Sequence, residues 1–169
     1  MFSRVLDLSH CHSQDDKYEK LYKVFHTDFV QHRTYLADAV YVNPAVQGHE
    51  NGKEKIFWHI VTRKNMATRK REYDEKRAER IEWVKRMILN HNHHEVKSFY
   101  YYEDNRKIRF YLWAYHHDFL VILQKLGAAE SYLVTSFYID NDRKRRTTQR
   151  KYDAYVAKSD ARLNACEWF

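Results

Sequence analysis

A chain of 169 residues with 44% apolar content is long enough for one domain with a real core, and nothing in it calls for a second. Thirty Lys and Arg against 23 Asp and Glu give a net charge of +7, which favours a polyanionic partner, a nucleic acid or an acidic inhibitor protein. With 14 Tyr, 9 Phe and 4 Trp, much of the core and of any binding surface must be aromatic, and such rings can stack on bases.

The N-terminal stretch MFSRVLDLSHCHSQDDK has no long apolar run and no export signal, and Cys11 has no partner at CxxC spacing. Cys166 stands alone near the other end, so neither a zinc ribbon nor a redox motif can be built, and a reducing cytoplasm is expected. No later segment approaches the about 20 apolar residues that cross a bilayer, so no membrane partner is expected. Residues 17 to 33 place Leu21, Val24, Phe25 and Phe29 at helical spacing. Between Ala37 and Gly52 lie the only Pro and two of the three Gly, which predicts an ordered loop or irregular hairpin.

Helix resumes at about Lys53 with NGKEKIFWHIVTRK, which sets His59 four places before Arg63. On a helix both would share a face. An imidazole that moves a proton beside a fixed guanidinium charge suits phosphodiester chemistry, although by itself such a pair is more often a packed histidine beside a surface arginine. The run ATRKREYDEKRAERIEWVKRMILN, residues 67 to 90, carries Ala78, Ile81, Val84 and Ile88 as a stripe and predicts one long helix with a basic outer face.

Beyond NHNHHE the period changes to two. Ile108, Phe110, Leu112 and Ala114 alternate with Arg109, Tyr111, Trp113 and Tyr115. With SFYYYE before it, and FLVILQKL and SYLVTSFYID after it, this predicts a four-stranded antiparallel meander over residues 96 to 140. On the last strand Leu133, Phe137 and Ile139 should share one face and Ser136 and Tyr138 the other, so that a hydroxyl of Thr135 or Ser136 is buried or lines a cleft. Residues 142 to 164 form a basic C-terminal helix. The fold class is therefore α+β, one domain with a mainly helical part at 17 to 90, and with residues 1 to 16 and 158 to 169 peripheral.

Histidines cluster at His10 to His12 and at His91, His93 and His94, but neither group has H-E-x-x-H spacing, so no metal ligand is assigned and no cofactor is expected. Three glycines leave no room for a phosphate-cradling loop or a G-x-S-x-G elbow, which disfavours nucleotide-hydrolase, nucleotidyl-transfer and α/β-hydrolase readings.

Four segments, GKEKIFWHIVTR, RAERIEW, IRFYLWAYHHDFLVILQKL and SYLVTSFYIDNDRKRRTTQRKY, together resemble a phage- and plasmid-associated group of small toxins in the barnase, EndoU, colicin and RelE-like nuclease assemblage (the BECR fold). The resemblance spans roughly residues 20 to 155. It implies helices on one face of the sheet, RNA on the other, and a metal-independent endoribonuclease of tRNA or mRNA, often held in check by an antitoxin or immunity protein. It places His59, Arg63, Thr135 and Tyr138 in catalytic positions, and Arg80, Trp83, Lys151 and Tyr152 in RNA-binding ones. On this reading His59 is the general base or acid, Arg63 stabilises the phosphorane, Thr135 bonds a phosphate oxygen or orients His59, and Tyr138 donates a proton or stacks. A non-catalytic RNA-binding or protein-binding module on the same scaffold is the alternative.

Overall fold

In the computed structural model, which describes residues 1–169, the first helix begins where the Ser13 hydroxyl accepts a hydrogen bond from the Asp16 amide. Helix α1 (Gln14–Phe25) buries Leu21 and Phe25, then loosens into a π-helical turn (His26–Gln31) that buries Phe29. The predicted loop holds four short strands, β1 (Tyr35–Leu36), β2 (Val40–Val42), β3 (His49–Glu50) and β4 (Lys53–Glu54). Asn51 and Gly52, with φ of 52° and 74°, make the two-residue turn between β3 and β4 that suits the twist of a hairpin.

Helix α2 (Lys55–Val61) buries Ile56, Phe57, Ile60 and Val61. It stops two residues before Arg63, because Thr62 turns extended and its hydroxyl donates back to the Trp58 carbonyl. Strand β5 (Thr62–Lys64) follows and pairs with β6 (Arg71–Tyr73). The shared helical face expected for His59 and Arg63 is therefore absent.

The single long helix predicted over residues 67 to 90 is also replaced, by β6, α3 (Glu75–Ala78) and α4 (Ile81–Leu89). Helical propensity gives way to one tertiary demand and one local one. Strand β5 takes Arg71 to Tyr73 as its partner, and the Asp74 carboxylate caps α3 by accepting from the Arg77 amide.

Strands β7 (Val96–Tyr102), β8 (Ile108–Ala114), β9 (Phe119–Leu126) and β10 (Glu130–Tyr138) pair antiparallel in sequence. The sheet is nonetheless six-stranded and mixed, in order β1-β2-β10-β9-β8-β7, since β2 adds parallel to β10 at Glu130 and Ser131. That extension corrects the four-stranded expectation; the loop supplied strands too short for a period to register. Beyond Ser131, β10 has no strand on its outer side, and α2 and α3 lie against it there.

Two apolar clusters flank the sheet. The larger, of 28 buried residues, joins α1, α2 and α4 to one face; the smaller, of six, lies on the other face under Tyr152 and Tyr155 of α5 (Asp142–Val156). The α+β plan holds, with the last helix covering the face that the resemblance leaves open for RNA. Both termini, expected to be peripheral, reach the core: Phe2 packs 5.4 Å from the Trp83 ring, and Trp168 lies beneath Tyr100 and Phe110. No helix is long and apolar enough to cross a membrane.

A β-bulge between Leu133 and Thr135 breaks the alternation predicted for β10. Leu133 enters the larger cluster, whereas Phe137 and Ile139 pack with the smaller one. One inserted residue sends them to opposite faces.

Candidate functional site

The bulge lies where β10 loses its strand neighbour, and a cleft of about 670 Å³ opens there between the strand edge, α2 and the β5–β6 hairpin. His59, Arg63, Thr135 and Tyr138 all line it. Of the two strand hydroxyls, Thr135 faces this space while Ser136 is buried. His59 comes from the last turn of α2, Arg63 from β5, and the other two from β10, so three separate elements bring them together.

Two arginines hidden in the basic run, Arg71 and Arg77, complete the wall. The Arg77 guanidinium donates to the carbonyls of His59 (3.1 Å) and Thr62 (3.0 Å), and Arg71 donates to the Thr62 hydroxyl (2.8 Å) and carbonyl (2.9 Å). These bonds satisfy carbonyls that the end of α2 leaves open, and they place positive charge where the helix dipole is negative. Burial depresses the pKa of both arginines, yet a guanidinium stays charged under any ordinary condition.

The cost falls on His59. Its half-buried imidazole is pushed down to about 4, first by burial and then by the charges of Arg71, Lys55 and Arg77, with Glu50 opposing. The ring is therefore neutral at pH 7 and can accept a proton there.

Five cations line the cleft, Arg63, Lys64, Arg71, Arg77 and Lys144, against three carboxylates. Each carboxylate is engaged: Asp74 with Arg77 Nε (3.3 Å), Asp140 with Lys144 Nζ (2.8 Å), and Glu72 with the Asn65 amide (2.8 Å). Arg63 and Lys64, both exposed, have no ion-pair partner. Such a surface is matched to an anion with several charges.

Arg80 does not line the cleft but lies behind Tyr138, its guanidinium 5.0 Å from that ring and 5.1 Å from Trp83, with Lys76 4.5 Å from the same tyrosine. Trp83 itself is only 3% exposed, and its indole N–H donates to the Arg4 carbonyl (2.7 Å). It is a core residue, and the expectation that it contacts RNA is corrected on that ground; periodicity marks an aromatic on a helix without saying which layer it faces. Lys151 and Tyr152 are also elsewhere, across the sheet. Lys151 donates to the Tyr111 hydroxyl (2.9 Å) and pairs with Glu103, while Tyr152 packs edge-on against Phe99.

A second hollow, of about 460 Å³, lies on that far face, floored by Leu120, Ile122 and Phe137 and walled by Arg143, Lys144 and Lys151. Lys144 borders both spaces. A further groove between α1 and α4 carries one ion pair, Lys85 with Asp28 (3.4 Å).

The signal for Arg71 and Arg77 was present in the sequence as RKREYDEKRAER, but a helical reading spreads those side chains around a cylinder. Only the break into β6 and α3 points both at the end of α2. Comparison of the chain with protein-family models, with curated proteins and with solved structures finds no match.

Proposed function

We propose that the cleft at the β10 edge cleaves RNA by transesterification. The neutral His59 imidazole takes the proton from a ribose 2′-hydroxyl, and the freed oxygen attacks the adjacent phosphorus. The bond to the 5′-oxygen breaks, that oxygen receives a proton from the Tyr138 hydroxyl, and the products are a 2′,3′-cyclic phosphate and a 5′-hydroxyl end. Arg63 stabilises charge on the phosphorane oxygens, and Thr135 donates to one of them or orients His59.

The observation that carries this reading is a neutral histidine and an unpaired arginine lining one cationic cleft. Two further features support it. A phosphodiester bound beside Arg71, Lys55 and Arg77 offsets the repulsion that depresses His59, and so raises its basicity when substrate is in place. Arg143, Lys144 and Arg145 crowd the first turn of α5, where the helix dipole disfavours cations; Lys144 and Arg145 pair with Asp140 and Asp118, and Arg143 has no ion-pair partner. Lys144, between the two hollows, is the natural contact for a flanking phosphate, a task that Arg80 and Lys151 are less free to perform.

The cleft holds more cations than carboxylates, and the proposed route uses no metal ion. A cellular RNA such as tRNA or mRNA is the proposed substrate, and an acidic antitoxin is a fitting partner for the same surface. The test is incubation of purified protein with RNA in a chelator, followed by analysis of the new ends. Cyclic phosphates made by the parent and lost in His59→Ala are expected. Intact RNA, bound but uncut, would leave the non-catalytic module as the reading.

A further inference from the structure

We propose that His93, His94, Glu95 and His117 form a binding site for a divalent transition-metal ion of the zinc class, tying the loop before β7 to the turn between β8 and β9. Ligand atoms of His93, His94 and Glu95 all lie within 4.8 Å of one another. The fourth group arrives from a distant part of the chain: His117 Nε2 is 3.7 Å from Glu95 Oε1. His93 Nδ1 is 3.6 Å from Glu95 Oε2, and the His93 and His94 rings are 4.2 Å apart between centroids.

These separations decide between two accounts. At 3.6 and 3.7 Å the imidazole nitrogens are too far from the carboxylate for good hydrogen bonds; His93 Nδ1 accepts instead from the Glu95 amide (3.3 Å), so its Nε2 is the nitrogen an ion would take. Two ligands on one tetrahedral ion, each bonded at about 2.05 Å, sit about 3.3 Å apart, so small side-chain rotations bring His93, His94 and Glu95 into place, and His117 joins through its approach to Glu95. Three imidazoles and one carboxylate suit zinc, nickel or copper and disfavour magnesium and calcium, which prefer all-oxygen shells.

The one cation already on the cluster is the Met1 ammonium, 3.0 Å from Glu95 Oε2. Oxygen Oε1, on the His117 side, is outside that pair. Spacing along the chain hides this arrangement, because H-N-H-H-E lacks the helical repeat of known zinc motifs and its fourth member is 22 positions beyond Glu95. The strand pairing supplies the proximity: Val96 of β7 sits beside Ala114 of β8, which sits beside Phe119 of β9, so the two connecting segments emerge at one end of the sheet.

The site is distinct from the proposed catalytic cleft, and its test is independent of cleavage. Untagged protein is titrated with zinc against a metal-responsive dye of about micromolar affinity. One zinc per chain is expected, with a zinc-dependent rise in melting temperature. His94→Ala and His117→Ala, made separately, each weaken binding by about tenfold or more, while His12→Ala in the other histidine group leaves it unchanged. Melting in chelator shows that the variants are folded. Failure of the parent to take up zinc, or uptake unaltered in both variants, overturns the proposal.

Discussion

Two groups of cations and aromatic rings lie on either side of β10, and they differ in what their charges already hold. Under α5, the Lys97 ammonium sits 5.0, 4.5 and 4.7 Å from the rings of Trp113, Tyr115 and Tyr152, and Lys151 is 4.0 Å from the Tyr101 ring while pairing with Glu103. Those charges are consumed in holding the helix on the sheet. At the β10 edge, Arg63 and Lys64 have no such partners, and the histidine between the arginines is stripped of its proton. Composition scores both regions alike; what separates them is the valence left over.

The comparison breaks first at His59. Replacement by Ala should lower the rate of RNA cleavage by about 10² to 10⁴ while RNA binding stays close to that of the parent. Single-turnover rates and a separate binding titration read the two quantities. Undiminished cleavage would remove His59 from the chemistry.

Arg63→Ala comes next, with an expected loss of about 10² to 10³ in kcat. Because Arg63 is exposed and has no ion-pair partner, its removal should leave the melting temperature nearly unchanged. Arg77→Ala is a useful contrast: it uncovers the carbonyls of His59 and Thr62, so it should lower stability as well as rate. If both variants lose stability equally, Arg63 is structural too.

The far side is expected to answer in the opposite way. Lys151→Met should cost about 1 to 2 kcal/mol of stability, because it removes the cation that balances the Glu103 carboxylate in a half-buried place, leaving that carboxylate only its bond from the Tyr111 hydroxyl. Cleavage by the folded variant should match the parent. A large loss of cleavage with unchanged stability would transfer Lys151 to the RNA path and join the two regions into one site.

How far the sequence reveals this division depends on the kind of signal. Strands β7 to β10 are legible because residues 108 to 115 alternate and β-rich runs bounded by turns flank them, and α4 because Ile81, Val84 and Ile88 keep a stripe. Residues 62 to 80 are not legible, since good helix formers there are drawn into β6 by the backbone of β5, a partner that no local pattern announces. His59 and Arg63 could be paired from the sequence, but through a helical face that does not exist; they meet because α2 ends at Val61 and the chain turns along the cleft. Strict alternation puts Phe137 with Leu133, and the bulge parts them; the resemblance puts Trp83 on RNA, and Phe2 covers it. In each case the missing information is a contact distant in sequence.

The smallest expected effect probes the same contrast through pH. The pKa of His59 in the folded protein, about 4, lies below its ordinary 6.5, so between those values the unfolded chain takes up a proton that the folded chain refuses. Stability contributed by the neutral ring is thus present above 6.5 and declines as pH falls toward 4. Allowing for the solvent that reaches a half-exposed imidazole, the difference is about 1 kcal/mol. Urea midpoints of the parent and His59→Asn at pH 7 and 4.5 isolate it, because other titrating groups cancel between the two proteins. The acid limb of kcat/KM, which reports the free enzyme, should fall near the same low value. A limb near 6.5 together with equal midpoint shifts would mean that neither burial nor the neighbouring cations depress His59, and the cleft would then differ from the far face only in the charge it leaves unpaired.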